Sequence, residues 1–335
     1  MLSRAAVCLA LSLLPAVAAD WSPRLAAQYL DSRQKEWFVW PRANAAAKPC
    51  VSCHTGVTYL LARPALRQAL GEDTATVYET GLLASLRSRV ELREPANSPG
   101  LGVESVLAAR FLATADALDR MWALQVREGA ARGSWNWFSL NQDPWEMPDS
   151  RYFGAALAAL AAPAKDHARP EARELVAYLE RERVAQPLHN RMMLLWASGG
   201  FPEVLPAAAR NALVDEVWKK QQADGSWTMD SLGPFPAHPH APRAEGGSAY
   251  ATAFAAFVME QAAGDPANPK LARALAWLRA RQDPECGCWQ AVSMNEQYEP
   301  GSIPSRFMDD AATSFAVLAL LGSQKNASAG PPPAY

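Results

Sequence analysis

The chain has 335 residues, half of them apolar and a fifth charged, which allows one large domain or two smaller ones around a sizeable core. Lysine and arginine number 32, against 34 aspartate and glutamate residues. Because there is no basic excess, the composition argues against a nucleic-acid partner and against attraction to an anionic membrane surface.

The first 19 residues have the pattern of a secretory signal peptide. Arg4 gives a short positive region, residues 5–14 are apolar, and small residues at 16–19 offer a cleavage site before Asp20. The apolar stretch is shorter than the about 20 residues that span a bilayer, and no later stretch is long and apolar enough. We therefore predict an exported protein, periplasmic in a bacterium, with no transmembrane segment in the mature chain.

The segment 20–75 contains Cys50-Val-Ser-Cys53-His54, followed by Thr-Gly, which suits a loop that opens into a helix. Two thiols at this spacing can add to the two vinyl groups of one porphyrin, and the adjacent imidazole can then bind iron. In this motif the segment resembles the c-type cytochromes. The resemblance implies one covalently attached haem c, with His54 as an axial ligand of the iron.

Two other interpretations of the motif have less support in the sequence. A zinc site needs a second Cys/His pair at zinc-like spacing, and a thioredoxin-like redox pair needs a βαβ unit nearby; neither is visible. Aromatic side chains are dense before the motif, and they either cover a porphyrin face or dock the segment on the rest of the chain. They are Trp21, Tyr29, Trp37, Phe38 and Trp40.

The residue that would bind the iron opposite His54 is harder to predict. Small cytochromes of the family take a methionine downstream of the motif, but here no Met or His lies between His54 and Met121. Either the sixth position is open or holds water, or a later part of the chain supplies the ligand. The candidates in later segments are Met147, His189, His238 and His240.

From about residue 77 the chain is a repeated helical unit. Alanine and leucine recur at helical spacing, and strand-like alternation is nearly absent. Three units each have a helix, a glutamine, a Gly-x-Trp loop and an Ala-rich second helix. These units span 118–157, 217–257 and 276–318, and two less regular pairs lie at about 77–114 and 171–200. The pattern predicts about five helical hairpins.

Composition also predicts how each hairpin is oriented. The Ala-rich second helices suit a crowded inner layer, and the charged first helices suit an outer layer. Acidic residues stand where the inner helices begin, and among them we interpret Asp309 and Asp310 as helix caps.

The sequence Gln221-Gln-Ala-Asp-Gly225-Ser-Trp227 and its two counterparts resemble the Gln-Trp repeats of the squalene–hopene cyclase and prenyltransferase superfamily. The resemblance implies an α/α toroid over residues 76–325. The acid motif of the cyclases, Asp-x-Asp-Asp-Thr, is incomplete because Phe307 replaces its first acid. No zinc triad of a prenyltransferase is evident, so we assign no catalytic residue, and whether the protein is an enzyme stays open.

The sequence therefore predicts an all-α protein: a helical haem-binding segment at 20–75, a toroid of about five hairpins at 76–325, and a disordered tail at 326–335. The leading functional prediction is haem-dependent electron transfer with a redox partner protein, in which the toroid completes the haem pocket or docks the partner. The alternatives are a haem enzyme acting on an apolar, isoprenoid-like molecule in the toroid cavity, and a redox- or gas-sensing binding module. Cys286 and Cys288 either form a disulfide or stay free thiols.

Overall fold

The structure is a computed structural model that describes residues 20–44, 48–91, 99–148, 150–263, 265 and 267–328. The predicted signal peptide and residues 329–335 lie outside the described residues. Over the described ranges the chain is all-α, with twelve α-helices and no β-strand, which confirms the all-α part of the prediction. None of the helices in these ranges combines the length and the apolar character that crossing a membrane requires.

The helices follow one another along the described ranges. Three long loops and the segment at 40–57, which contains the cysteine motif, interrupt the series, and the other described connections are shorter. The bounds of the helices are α1 Pro23–Val39, α2 Thr58–Leu70, α3 Val77–Val90, α4 Pro99–Leu112, α5 Ala115–Ala123, α6 Ser150–Ala161, α7 Pro170–Glu182, α8 Leu188–Ala197, α9 Ala207–Lys219, α10 Ala249–Ala263, α11 Pro269–Arg279 and α12 Phe307–Ser328.

Burial divides the helices as their composition predicts. The alanine-rich helices α6, α10 and α12 are buried over most of their described side chains, because small residues let neighbouring helices approach closely. Helix α8 is buried to a similar extent, but it contains larger apolar residues and only one alanine. Helices α7 and α11 bury one face only and expose charged residues on the other. The buried helices pack side by side in the order α4, α6, α8, α10, α12, α2. Helix α3 contacts both α2 and α4.

The three Gly-x-Trp loops share one geometry. In each loop the tryptophan is fully buried, and its indole N–H donates a hydrogen bond to a backbone carbonyl of the preceding helix. The pairs are Trp135 with Met121 at 2.7 Å, Trp227 with Val217 at 2.9 Å, and Trp289 with Leu278 at 2.8 Å. Each loop is therefore fastened to the helix that comes before it.

The glutamine of each repeat links its loop to the N-terminus of another helix. Each carboxamide donates to a backbone carbonyl there: Gln125 to Glu171 of α7 at 2.9 Å, Gln221 to Lys270 of α11 at 2.8 Å, and Gln282 to Ser22, the N-cap of α1, at 3.0 Å. The N-terminus of α1 therefore accepts a hydrogen bond from the glutamine of the third loop, as α7 and α11 do from the glutamines of the first two.

Gly287 brings the third loop against α1. Its φ of +73° belongs to the left-handed region, and a Cβ there would lie 2.5 Å from the carbonyl oxygen of Leu25 in α1. Only a glycine fits this approach without displacing the helix. Helices α1 and α2 also pack on α12, so buried contacts cross the boundary predicted between residues 75 and 76.

The C-terminal end of α12 overlaps the tail predicted at 326–335. The helix continues to Ser328, so the first three residues of that tail are helical, and the other seven lie outside the described residues.

Candidate functional site

The Cys50–His54 motif leads into α2 through a single wide turn. The Ser52 hydroxyl accepts hydrogen bonds from the backbone N–H groups of Thr55 and Gly56, both at 3.3 Å, and so caps the turn. Residues Cys53–Val57 form a π-helical turn, and α2 begins at Thr58. The predicted loop that opens into a helix is confirmed.

The two cysteines of the motif are free thiols, whereas Cys286 and Cys288 are joined in a disulfide. Cys50 is exposed and Cys53 is buried, and both line a cavity of about 530 Å³. Cys53 also lines a second cavity of about 290 Å³, among apolar and aromatic side chains. Burial raises the pKa of Cys53 well above its ordinary value, so its sulfur carries a proton at neutral pH.

The His54 imidazole is surrounded by aromatic rings. Phe307 stacks on its face with ring centroids 3.8 Å apart, and Trp37 and Trp145 lie 5.5 and 6.0 Å away. Burial, with a smaller contribution from the charge of Arg33, lowers the pKa of His54 to about 3. The imidazole is therefore neutral, which is the form that binds a metal ion.

The two ring nitrogens of His54 have different surroundings. Nδ1 lies 2.7 Å from the hydroxyl oxygen of Thr55, whereas the described residues offer Nε2 no hydrogen-bond partner. Because Phe307 covers the face of the ring, it leaves the in-plane lone pair of Nε2 available.

The Thr55 hydroxyl that contacts His54 also contacts the side chain of Asp310. Its carboxylate accepts hydrogen bonds from the Thr55 hydroxyl at 2.7 Å, from the Tyr29 hydroxyl at 2.9 Å, and from Arg33 at 2.7 and 3.1 Å. Asp310 and Arg33 are both almost fully buried. The interpretation of Asp310 as a helix cap is wrong, because its carboxylate turns away from the helix to this ion pair.

Asp309, also interpreted as a helix cap, uses its carboxylate for a contact outside its own helix. It lies in the first turn of α12, and its side chain accepts a hydrogen bond from the backbone N–H of Ala291, in the third loop, at 2.6 Å. Burial, which outweighs this hydrogen bond, raises the pKa of Asp309 to about 7.

His54 lines a third cavity, of about 420 Å³, with several polar side chains. Glu146 lines both this cavity and the one beside Cys50 and Cys53. Trp145 lines both this cavity and the smaller apolar one. The motif therefore lies where three cavities adjoin, and the loop before α6 forms the wall between them.

The four predicted candidates for the sixth ligand do not line the cavity of His54, among the residues described there. Met147 is buried. Both ring nitrogens of His189 contact polar groups, Asn190 at 3.2 Å and the Tyr250 hydroxyl at 2.8 Å.

The other two candidates lie in the second loop. His238 is paired with Asp143 at 3.0 Å, and His240 is exposed. The sixth ligand stays a prediction.

Met308 is the methionine that shares a cavity with His54, and the sequence reasoning missed it. It is buried and stands next to Phe307, whose ring stacks on His54. The only local signal was its place in the incomplete acid motif.

Two of the aromatic residues before the motif have the docking role considered for them, and covering a porphyrin face stays a prediction. Trp21 packs on Trp289 with centroids 6.0 Å apart, and Phe38 packs on Tyr78 at 5.3 Å, so these two rings dock the segment on other helices. Trp37 lies between His54 and Trp40, at 5.5 Å from each.

The chemistry of this set fits a covalently held porphyrin. Two unpaired thiols at a two-residue spacing face one cavity, a neutral imidazole with a free Nε2 stands beside them, and aromatic surfaces line the adjoining space. Among the described residues no group of three or more His, Cys, Asp and Glu side chains could hold a bare metal ion. Cys50, Cys53 and His54 would hold the haem group.

Comparison of the sequence with models of known protein families finds no match. A comparison with curated proteins finds none either.

Proposed function

We propose that this protein is an exported c-type cytochrome that transfers electrons through one haem attached at Cys50 and Cys53, with His54 as an axial ligand. The haem would supply one-electron redox chemistry, and the chain's own residues attach it, orient it and exclude water. The observation that carries the proposal is the pair of free thiols beside the neutral His54 ring, at the junction of three cavities.

We also propose that the twelve helices form an α/α toroid of the cyclase type, in which α1 and α2 supply a sixth hairpin. The side-by-side packing order of the buried helices favours this arrangement. So do the matching glutamine contacts of the three loops, in which Gln282 meets α1 as Gln221 meets α11. In such a toroid every outer-to-inner loop, including the motif, lies at one end.

Electron transfer is favoured over catalysis by a line of aromatic rings. Trp37 connects the His54 ring to Trp40, which is half-exposed beside the exposed residues Val39 and Arg42. This line joins the half-buried imidazole to the surface, where a redox partner protein would dock. Export through the predicted signal peptide is part of the same proposal, because haem c attachment takes place after export.

The proposal is tested by expressing the full chain in a bacterium with c-type maturation machinery. We expect haem that stays with the polypeptide after denaturing electrophoresis, and a c-type absorption spectrum in the reduced protein. Cys50→Ala and Cys53→Ala should each lose one thioether bond, and the double variant should lose all covalent haem. The matched control is Cys286→Ser/Cys288→Ser, which removes the other cysteine pair and should retain haem. A wild-type protein without covalent haem would refute the proposal.

A haem enzyme acting on an apolar, isoprenoid-like molecule is the second candidate. It is favoured by the cavity of His54, which shares Asp143 and Ser293 with an open cleft of about 1,380 Å³. Carbon monoxide distinguishes the two proposals: an unchanged spectrum of the reduced protein supports an electron carrier, and a shifted spectrum supports an open iron site.

A further inference from the structure

The hydrogen bonds around Thr55 fix the direction in which each proton points. Asp310 faces four donor groups, two from Arg33 and one each from Tyr29 and Thr55. Arginine has no acceptor atom. Burial raises the pKa of Asp310, but the charge of Arg33 and the hydrogen bonds from Arg33, Thr55 and Tyr29 oppose that shift, and a carboxylate surrounded by donors and paired with a guanidinium is held in its ionised form. The Thr55 hydroxyl therefore donates its hydrogen bond to Asp310.

The direction of the Thr55 hydroxyl determines the tautomer of His54. With its proton directed at Asp310, the Thr55 oxygen offers a lone pair to Nδ1 at 2.7 Å. The ring proton of His54 is therefore on Nδ1, and the lone pair of Nε2 is free. The side-chain amide of Gln34 donates to the backbone carbonyl of Thr55 at 3.0 Å, which holds the threonine in place.

We propose that Asp310, acting through Thr55, is a positioning residue that fixes the tautomer of His54 and strengthens it as an electron donor to iron. A histidine ligand whose other nitrogen donates toward a carboxylate is a stronger base. A stronger axial donor stabilises the oxidised iron and lowers the reduction potential. This inference rests on the proposed function, because it concerns the haem held at Cys50 and Cys53.

Asp310 stands in the part of the chain that resembles the cyclase acid motif, but its surroundings do not suit an acid catalyst. Asp310 is one of the two residues that match the cyclase acid motif, yet it is enclosed by Tyr29, Arg33 and Thr55 rather than facing a cavity. An ionised, four-fold hydrogen-bonded carboxylate cannot give a proton to an alkene. We therefore assign this carboxylate to the tuning of His54.

The test compares Thr55→Val with Thr55→Ser in the purified haem-bearing protein. Valine keeps the shape of threonine but removes the hydroxyl, so the relay is broken, whereas serine retains it. We expect Thr55→Val to shift the oxidation equilibrium toward reduced iron by about tenfold, which is about 59 mV for a one-electron couple. In the same variant, the Fe–imidazole stretching frequency in the resonance Raman spectrum should fall. Thr55→Ser should keep the wild-type values.

Thr313→Val is the matched control, because it also removes a buried threonine hydroxyl, in this case one on α12. The Thr313 hydroxyl accepts a hydrogen bond from the backbone N–H of Trp289 at 3.0 Å. This variant should leave the potential unchanged. If Thr55→Val does not accumulate, the double variant Arg33→Met/Asp310→Asn is used instead, because it removes the charged end of the relay. It should raise the reduction potential, as expected for Thr55→Val.

Failure of the proposed haem attachment and failure of the Thr55–Asp310 relay give different results. A wild-type protein without covalent haem overturns the proposed function. A haem-bearing Thr55→Val protein with the wild-type potential, or an equal shift in Thr313→Val, overturns only the relay.

Discussion

Replacing Arg33 by methionine tests the buried ion pair that joins α1 to α12. Arg33 and Asp310 are each 1% exposed, and the guanidinium donates twice to the carboxylate. Removing one partner of such a pair leaves a buried charge without compensation, which costs about 3–5 kcal/mol. We expect Arg33→Met to lower the free energy of unfolding by that amount at pH 7.

The double variant Arg33→Met/Asp310→Asn should recover more than half of the loss, because no unpaired charge stays buried. The exposed pair of Arg132 and Glu174 supplies the control. Arg132→Met should cost less than about 1 kcal/mol, since exposed ion pairs contribute little.

The assay is urea unfolding followed by circular dichroism, with the shift in midpoint multiplied by the wild-type slope. A loss below about 1 kcal/mol in Arg33→Met, equal to that of the exposed control, would refute the reasoning. So would a double variant no more stable than Arg33→Met alone.

Three further predictions concern stability. The pKa of Asp309, raised to about 7 by burial, means that from about pH 4 to pH 7 the native protein holds a proton that the unfolded chain has released. The free energy of unfolding should therefore fall as pH rises across this window, and Asp309→Asn should flatten that slope in thermal unfolding at several pH values; an unchanged slope would contradict the assignment. Trp227→Phe should cost at least about 1–3 kcal/mol in urea unfolding, because the buried carbonyl of Val217 loses its donor; a neutral effect would count against the shared loop geometry. Gly287→Ala should destabilise more than Gly71→Ala in the same assay, since both have positive φ but only Gly287 faces the backbone of α1; equal losses would disprove the close contact.

Much of the helical architecture could be predicted because its signals are local. Alanine-rich runs, the glutamine of each repeat and the Gly-x-Trp loops lie within a few residues of one another. Their spacing identified helices and loops before any tertiary contact was known. Ser52 likewise caps the turn that begins at Cys53, where the sequence predicts a loop that opens into a helix.

The network behind His54 could not be predicted, because its members are far apart in the chain. Arg33 and Asp310 are 277 residues apart, and Thr55 and Asp310 are 255 residues apart. No periodicity or motif records such a pairing. Asp310 was interpreted as a helix cap because its local context, an acidic residue at the start of an Ala-rich helix, is the same for both roles.

The position of Met308 illustrates the same limit within the candidate site. Its neighbour Phe307 was noticed only as a departure from the cyclase motif, and nothing near His54 in the sequence points to it. The cavity that brings Met308 and His54 together forms between the turn before α2, the loop before α6, the third loop and the start of α12. Only the tertiary packing of these segments reveals it.

The pairing of α1 and α2 with α12 has a consequence for the order in which the chain assembles. Residues 23–70 cannot bury their apolar faces against α12 until residues 307–322 have been synthesised, and contacts across so much chain form late. Cys50, Cys53 and His54 thus stay accessible until α12 docks, in the exported chain of the proposal as well. If the chain carries the proposed haem, the interval before the last helix docks is the period in which an attachment enzyme could reach both thiols.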